Sequence, residues 1–327
     1  MREGMTGRST WRQSTPRLPG FAADPAAGFE EDSQGGTMRI LIYGAGVIGS
    51  IYGALLAEAG LNVTLYARGR RADALRSHGL LYRKGGTVKA ARVSVLTTLA
   101  DGDRYDFIFL TVRENQLLQA LAELKSNSSP TIVTMVNSLD TYDKWEAVCG
   151  RGRILPAFPG AGGGFNGDVL DAALTPRLIQ PTTIGKTDGR EAKLAEVMRK
   201  AGIPCQVVPD MHAWQICHLG MVVPIADAYY ASEDPEHAGN DPRLMKKTAS
   251  QISDNLEALR ELGIKLSPAR INVFRILPSW LTAVALGFVF RSRFGDRFMY
   301  RHSMKAPDEM RRLHDAFYAY ITRRPEN

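Results

Sequence analysis

The sequence predicts an α/β protein in which a doubly wound parallel sheet is followed by an all-helical C-terminal domain. Three observations support this fold class. Short apolar runs rich in strand-forming residues alternate with helical patterns as far as residue 208. A glycine-rich turn joins the first of these runs to the first helical pattern. After Pro209 the strand-like runs stop and only helical periodicity continues.

The first part of the chain contains the elements of the sheet. Two stretches have helical spacing: residues 47–59, which Gly60 ends, and residues 116–124. Residues 161–164 (AGGG) are predicted to be flexible or tightly turning, and shorter strand-like runs follow them. The predicted strands are residues 39–43, 62–66, 107–112 and 131–136.

The second part is predicted to be helical. Residues 276–290 (ILPSWLTAVALGFVF) are almost entirely apolar. This stretch is shorter than the roughly 18–20 residues that span a bilayer, and it contains Pro278 and Gly287. We predict a buried helix there, with an interfacial membrane helix as the alternative. The predicted helices are residues 214–230, 241–262, 268–290 and 306–323.

Composition and charge narrow the functional classes. A hydrophobic content of 44% with 23% charged residues is typical of a folded globular protein. Cys149, Cys205 and Cys217 form no CxxC pair, which argues against a zinc site or a disulfide framework and predicts a reducing, cytoplasmic setting. The 41 Lys and Arg residues exceed the 34 Asp and Glu residues, but no nucleic-acid-binding motif accompanies them. We therefore expect a basic surface that attracts small anionic molecules.

The glycine-rich turn has the pattern G-x-G-x-x-G and follows a predicted strand, which is the context of a Rossmann-type dinucleotide site. Gly44 permits the tight turn, Gly46 leaves room for the pyrophosphate, and Gly49 lets the helix pack closely on the strand. Backbone N–H groups at the start of the helix bind the phosphates, helped by the helix dipole. The predicted cofactor-binding residues of this turn are Gly44, Ala45, Gly46, Val47, Ile48 and Gly49.

The residues after the second strand indicate which dinucleotide is bound. An NAD site has an acidic residue there, which holds the ribose hydroxyls. This chain instead has the sequence ARGRR at residues 67–71, with no carboxylate. Arg68 is placed to pair with a 2′-phosphate, assisted by Arg70 or Arg71. The sequence therefore predicts NADP(H).

These residues together resemble the ketopantoate reductase family. The likeness is carried by GAGVIGSIYGALLAEAG at residues 44–60, the TV-x-x-x-Q run at residues 111–116 and the Thr-Ile-Gly at residues 183–185. It extends over nearly the whole chain after Met38. The resemblance implies hydride transfer from NADPH to the ketone of a 2-oxo acid. It also implies a lysine proton donor, a second lysine in a TVK run, an asparagine near the nicotinamide and polar substrate contacts near the C-terminus.

The donor lysine of the family has no counterpart in this chain. Alignment on Pro224 places Gln215 there, and glutamine delivers no proton at neutral pH. His218 lies one helical turn further on nearly the same face, so we predict that it is the catalytic proton donor. Leu219 and Val223 replace asparagines of the family, which favours a related 2-oxo acid or aldehyde over ketopantoate itself.

Other family positions are retained or changed conservatively. Arg113 replaces the lysine of the TVK run and is predicted to bind a cofactor phosphate or the substrate carboxylate during catalysis. Asn137 follows an apolar strand and is predicted to orient the substrate or the nicotinamide. Ser303 matches a serine of the family, and Glu309 or Asp315 supplies its acidic residue for substrate binding. A surface arginine, a turn cap and a helix cap are the alternatives for Arg113, Asn137 and Ser303 respectively.

These inferences predict three regions in an NADPH-dependent oxidoreductase that acts on a small 2-oxo acid or carbonyl compound. Residues 1–37 are a disordered N-terminal extension, residues 38–208 an NADP-binding Rossmann domain, and residues 209–327 a helical domain for substrate binding and homodimer formation. We expect no bound metal, no nucleic acid and no membrane partner. A catalytically inactive NADP(H)-binding sensor and a peripheral membrane enzyme are the alternatives.

Overall fold

The computed structural model describes residues 38–322 and confirms the predicted α/β architecture with a helical C-terminal part. The predicted disordered extension, residues 1–37, lies outside the described residues and stays a prediction. The strands are β1 (Arg39–Tyr43), β2 (Asn62–Tyr66), β3 (Leu80–Lys84), β4 (Thr87–Ala91), β5 (Ser94–Leu96), β6 (Phe107–Leu110), β7 (Ile132–Thr134), β8 (Ile154–Phe158), β9 (Ala161–Asn166), β10 (Val169–Leu174), β11 (Thr182–Gly185) and β12 (Cys205–Val208). The α-helices are α1 (Val47–Glu58), α2 (Gly69–His78), α3 (Leu117–Glu123), α4 (Tyr142–Cys149), α5 (Arg190–Lys200), α6 (Met211–Ala231), α7 (Pro242–Glu261), α8 (Val273–Ile276), α9 (Ser279–Phe290), α10 (Arg301–Lys305) and α11 (Pro307–Ile321).

The main sheet has the strand order β12-β11-β8-β7-β6-β1-β2-β5. The six strands from β8 to β5 pair in parallel, whereas β11 runs antiparallel to β8. The buried apolar runs of β1 and β6 lie at its centre, as expected for a parallel sheet covered on both faces. From β1 the chain continues to β2 on one side of the sheet, whereas β6, β7 and β8 lie on the other side of β1. The direction in which strands are added therefore reverses between β1 and β6. Open α/β sheets bind ligands at such a switch point, beyond the carboxyl ends of the strands.

A second, four-stranded sheet with the order β4-β3-β10-β9 was not predicted from the sequence. It packs against α1 through β9 and β10. The prediction that residues 161–164 are flexible or tightly turning was wrong, because they belong to β9, which pairs antiparallel with β10. Gly163 permits this pairing, since a Cβ there would lie 2.4 Å from the Cα of Ala172.

The helices of the C-terminal part surround α6. Helices α7 and α11 pack directly on α6, and α9 packs on α7. Leu219 and Val223 on α6, Leu256 on α7 and Phe317 on α11 share one buried apolar cluster. The last strand in the sequence, β12, ends at Val208, and α6 begins at Met211. The change from strands to helices therefore lies at the predicted position, next to Pro209. The assignment of these two parts as separate domains stays a prediction.

The stretch predicted as one helix over residues 268–290 is broken. Helix α8 ends at Ile276 and α9 begins at Ser279, because Pro278 has no N–H to donate to the preceding turn. The prediction that this apolar stretch is buried was wrong for one face of α9, where the Trp280 and Phe288 side chains are 62% and 66% exposed. Between residues 38 and 322 no single helix could cross a bilayer by length and hydropathy. The bent pair 269–276 and 279–290, with an angle of 118° between its parts, meets that criterion only when both parts are taken together.

Candidate functional site

The glycine turn follows β1 at the switch point of the sheet. Gly44 has a φ of +113°, a conformation that favours glycine, and a Cβ there would lie 3.0 Å from the carbonyl oxygen of Thr111. A Cβ at Gly49 would lie only 1.9 Å from the carbonyl oxygen of Gly44. Thr111 Oγ1 donates a hydrogen bond of 2.8 Å to that same oxygen. The fold itself therefore requires glycine at both positions.

Gly46 differs from these two glycines. Its φ of −73° suits any residue, and no atom lies within 4 Å of the position that a Cβ would take. The open space lies at the N-terminus of α1, beside Ala45, Val47 and Ile48, where no side chain caps the backbone N–H groups. A glycine that the fold does not need, beside uncapped N–H groups, fits a pyrophosphate that approaches the backbone closely.

A pocket of about 310 Å³ lies beside this turn. Arg68 lines this pocket, and its Nη2 atom donates hydrogen bonds to the Tyr66 hydroxyl at 2.8 Å and to Glu123 at 2.5 Å. The rings of Tyr43 and Tyr66 stack with their centroids 4.5 Å apart. The residues that line the pocket are Tyr43, Gly44, Ala45, Gly46, Tyr66, Ala67, Arg68, Arg71, Val112, Gln116, Gln119, Ala120 and Glu123.

Glu123 was not predicted as a site residue. Burial alone would raise the pKa of its carboxyl, but hydrogen bonds from Tyr43 and Arg68 lower the pKa below its ordinary value. The carboxylate is therefore ionised at neutral pH and acts as the counter-ion of Arg68. Its sequence position, at the end of α3 and 55 residues from Arg68, carries no motif that indicates this role.

Arg71 connects the glycine turn to the second sheet. Its Nε atom donates to the carbonyl oxygen of Ala45 at 3.3 Å, and Nη2 donates to Ser50 Oγ at 3.2 Å. Its guanidinium lies over the ring of Phe165 on β9, 4.5 Å from the centroid. Of the two arginines predicted to assist Arg68, Arg71 therefore contacts the predicted phosphate-binding turn directly.

Asn137 lies beyond the carboxyl end of β7. Its Oδ1 atom is buried and accepts no hydrogen bond from any residue between 38 and 322. A buried acceptor without a donor costs about 1–3 kcal/mol, so such atoms usually have a partner. An N–H group of a ligand, such as the carboxamide of a nicotinamide, would supply that partner. The geometry thus fits the orienting role predicted for Asn137.

Gln215 occupies a structural position on α6. The side chain is 1% exposed. Its Nε2 atom donates to the carbonyl oxygen of Val136 at 2.9 Å, and its Oε1 atom accepts from the Tyr142 hydroxyl at 2.8 Å. Both ends of the amide are therefore satisfied within the protein. Gln215 fixes the backbone immediately before Asn137 instead of facing a substrate.

We expect Gln215→Met to lower the free energy of unfolding by about 1–3 kcal/mol, because the Val136 carbonyl and the Tyr142 hydroxyl lose their partners. Chemical denaturation measures the change. Gln119→Met, on the exposed side of α3, is the matched control and should change stability by much less. Equal stability of the two variants would mean that the buried amide bonds contribute nothing.

His218 lies on α6 in an aromatic environment. Its ring stacks on Trp214 with the centroids 5.2 Å apart and contacts Phe158 at 4.6 Å. Burial, with a smaller contribution from the nearby His302, lowers the pKa of His218 to about 3. The imidazole is therefore neutral at neutral pH. It can donate a hydrogen bond through one ring N–H, as a neutral histidine does when it polarises a carbonyl.

Four further predicted residues lie just beyond β6, on α10 and on α11. Arg113 is exposed just beyond β6, and its charge faces the half-buried Glu309 on α11. Burial raises the pKa of Glu309, which Arg113 opposes. Ser303 is buried inside α10, where its carbonyl oxygen accepts from the Tyr230 hydroxyl at 2.6 Å, so the helix-cap alternative does not apply. Asp315, the other candidate acid, lines a cavity of about 480 Å³ beside Asp227 and His314.

Comparison with known proteins agrees with this fold. Residues 40–169 match the family model described as ketopantoate reductase PanE/ApbA. The 2-dehydropantoate 2-reductase of Archaeoglobus fulgidus is 30% identical over 239 residues, which cover 71% of this chain and 77% of that protein. The enzyme of the same name from Pyrococcus horikoshii is 30% identical over 188 residues, but the match spans only 58% of its length. The structure of D-mandelate dehydrogenase with NADH and anilino(oxo)acetate has a TM-score of 0.59 at 17% identity, covering 87% of this chain and 98% of that one.

The parallel sheet, its switch point and the glycine turn define a Rossmann-type protein of the class that binds dinucleotides. More particularly, the chain belongs to the ketopantoate reductase family. This is a family of oxidoreductases that use NAD(P)H.

Proposed function

We propose that this protein is an NADPH-dependent oxidoreductase that reduces the carbonyl group of a 2-oxo acid or a related compound. The observation that carries the proposal is Gly46, whose α-carbon faces open space at the switch point of the sheet although the fold does not need a glycine there. The unpartnered Oδ1 atom of Asn137 at the same edge supports it. We assign Gly44, Gly46 and Gly49 to the pyrophosphate.

The remaining side chains have complementary roles in this proposal. Asn137 orients the nicotinamide or the substrate, and the neutral His218 donates a hydrogen bond to the carbonyl oxygen as negative charge develops on it. The bound cofactor would supply the hydride, and water would supply the proton that converts the resulting alkoxide into the hydroxyl group of the product. Arg113, just beyond β6, interacts electrostatically with Glu309 on α11. In this proposal the two side chains contact either a cofactor phosphate or the substrate.

The direct test is oxidation of NADPH in the presence of 2-oxo acids and aldehydes, ketopantoate included. We expect turnover with at least one class and a fall of about 100-fold in His218→Ala, because the oxygen loses its hydrogen-bond donor. Binding of NADPH without turnover on any of these compounds would contradict the proposed reaction. Cytoplasmic location and a homodimer remain predictions, and the mass in solution by sedimentation tests the second.

Arg68 supports NADP(H) over NAD(H), because its guanidinium lies in the pocket next to the turn and can pair with a 2′-phosphate. D-mandelate dehydrogenase, with its similar fold, binds NADH. Glu123 is the residue that distinguishes the two cofactors in this pocket. A 2′-phosphate has to replace Glu123 as the partner of Arg68, whereas a ribose hydroxyl could donate to the same carboxylate.

We expect Glu123→Gln to tighten NADPH binding by about tenfold, since removal of one nearby negative charge is worth on the order of 1.4 kcal/mol. NADH binding should change little. Titration with each reduced cofactor, followed by its fluorescence, measures both affinities. A loss of NADH affinity without a gain for NADPH would instead identify Glu123 as the ribose-binding acid of an NAD site.

A further inference from the structure

Helix α9 is apolar on its exposed side as well as on its buried side. The buried side, which includes Leu286 and Phe290, packs against α7 and belongs to the apolar cluster around α6. Every exposed residue of the helix is apolar too: Trp280, Leu281, Val284, Ala285, Phe288 and Val289. A surface helix of a globular protein carries polar side chains on its outer side, whereas a helix that is apolar all round is covered by protein or lipid.

The exposed apolar side chains of the protein are concentrated in this region. Seven of the fifteen large hydrophobic side chains that are exposed between residues 38 and 322 lie within residues 273–289. We call these seven the α8–α9 surface: Val273, Ile276, Trp280, Leu281, Val284, Phe288 and Val289. The spacing of Trp280, Val284 and Phe288 places them in one stripe along α9. Apolar side chains clustered in this way mark a site of contact with a protein or a membrane.

A loop from another part of the chain lies beside this region. Its Leu178 is 86% exposed, and Ile179 is exposed as well. Arg270, in the short segment Ala269–Asn272 that leads into α8, donates a hydrogen bond of 2.8 Å from Nη2 to the carbonyl oxygen of Ile179. The loop, α8 and α9 therefore all expose large apolar side chains.

The segment that carries α8 and α9 is also basic. Between residues 262 and 295 the chain has no carboxylate and five cations, namely Lys265, Arg270, Arg275, Arg291 and Arg293. Arg275 pairs with Glu257 on α7. For the other four, no carboxylate between residues 38 and 322 lies within the 4.0 Å ion-pair distance. Most of the positive charge of this segment is thus not neutralised by the described part of the chain.

The charge lies at the ends of the apolar surface. The guanidinium of Arg291, directly after α9, lies over the ring of Phe288 at 4.9 Å from the centroid. Its Nη1 atom donates a hydrogen bond of 3.4 Å to the carbonyl oxygen of Gly239. Arg270 lies at the other end, before α8. Apolar side chains flanked by arginines are typical of a helix that lies at the interface of an anionic membrane.

A second copy of this chain fits these observations less well than a membrane does. A two-fold interface sets the same surface of both copies against itself. The cations of both copies would then meet without a carboxylate from residues 262–295 to neutralise them. An anionic bilayer supplies negative headgroups and an apolar phase together. Trp280, near the start of α9, has the amphipathic ring that is enriched at the membrane–water interface.

The length of α9 determines how it could meet a bilayer. The helix has 12 residues, which at 1.5 Å per residue makes it about 18 Å long. The hydrocarbon core of a bilayer is about 30 Å thick, so α9 is too short to cross it. A helix of this length with one side packed on the protein can only lie along the membrane surface.

We propose that the α8–α9 surface binds the anionic surface of a lipid bilayer, with the exposed side of α9 inserted among the headgroups. The protein is then a peripheral membrane enzyme, the alternative considered from the sequence, and the expectation of no membrane partner is replaced. The proposal is independent of the proposed function, because none of the residues assigned to cofactor or substrate belongs to this surface.

The test is co-sedimentation of the full-length protein with two kinds of vesicle, phosphatidylcholine alone and an equal mixture of phosphatidylcholine and phosphatidylglycerol. We expect binding to the anionic vesicles and much weaker binding to the neutral ones. Phe288→Ser should weaken binding to the anionic vesicles by about tenfold, the effect of withdrawing one large apolar side chain from lipid. Leu118→Ser, which removes an exposed leucine from α3, is the matched control and should bind as the wild type does.

Arg293→Gln tests the charge of the same surface. We expect about fivefold weaker binding to the anionic vesicles, since one basic residue near such a membrane contributes a factor of this size. Arg83→Gln on β3 removes the same charge elsewhere and is the control. Fluorescence identifies the contact, because Trp145 and Trp214 are buried. A blue shift of the emission on anionic vesicles that disappears in Trp280→Phe would place Trp280 in the lipid.

Failure of the wild type to bind anionic vesicles at low salt would overturn the proposal, as would equal binding by the wild type and Phe288→Ser. Equal binding to neutral and anionic vesicles would contradict the role of the cations. A dimer that Phe288→Ser dissociates in sedimentation, together with no vesicle binding, would assign the surface to a second copy. Thermal melting of each variant confirms that it is folded.

Discussion

Gly46→Ala is expected to weaken NADPH binding by about 100-fold or more while leaving the protein as stable as the wild type. The backbone at this position, with a φ of −73° and a ψ of −168°, accepts alanine, and no protein atom lies within 4 Å of the new methyl group. The methyl would occupy the space through which a pyrophosphate reaches the N–H groups at the start of α1. Loss of two charge-assisted hydrogen bonds, each worth about 1.5 kcal/mol or more, accounts for a factor of this size.

Gly49→Ala is the matched comparison for this experiment. A Cβ there would lie 1.9 Å from the carbonyl oxygen of Gly44 and 2.5 Å from Thr111 Oγ1, so the backbone of the turn has to move. We expect a loss of about 3 kcal/mol in the free energy of unfolding, at the upper end of overpacking effects. Cofactor titration and thermal melting of both variants separate the two glycines. NADPH binding by Gly46→Ala at wild-type affinity would contradict the proposed cofactor site.

The cofactor half of the site could be predicted from the sequence because its signals are local. Residues 39–49 contain a strand, a turn and the start of a helix within one short stretch, and each glycine has a role set by its neighbours in the chain. Arg68 was predicted in the same way, from its place directly after β2. Glu123 was missed, because only the folding of α3 against the sheet brings its carboxylate to Arg68.

The substrate half depends on contacts between distant segments. Gln215 carries no signal of its buried bonds to Val136 and Tyr142, which lie 79 and 73 residues away. Lys305 reaches Gly163 across 142 residues, on a strand that the glycine-rich sequence did not predict. One local signal was available: His302 and Lys305 flank Ser303 at a spacing that places them on one face of a helix. Without the position of β9, that spacing does not indicate the contact between Lys305 and Gly163.

Acid is expected to destabilise the protein between about pH 6.5 and pH 3, and His218 is expected to be a main cause. Its pKa is lowered from 6.5 to about 3, with burial as the main reason. In this window the unfolded chain takes up a proton that the folded imidazole does not, so stability falls as the pH falls. Each pKa unit corresponds to about 1.4 kcal/mol, and the full shift therefore to roughly 5 kcal/mol.

His218→Gln isolates this contribution, because glutamine is uncharged at every pH. Denaturation free energies measured from pH 7 to pH 4 should fall less steeply in the variant than in the wild type. His302, whose pKa is also lowered, keeps part of the slope, and His78→Gln at the exposed end of α2 is the matched control. An unchanged slope in His218→Gln would mean that the folded imidazole does take up a proton near neutral pH. His218 would then act as an imidazolium that transfers its proton to the substrate oxygen, whereas a flattened slope supports a neutral ring that only donates a hydrogen bond.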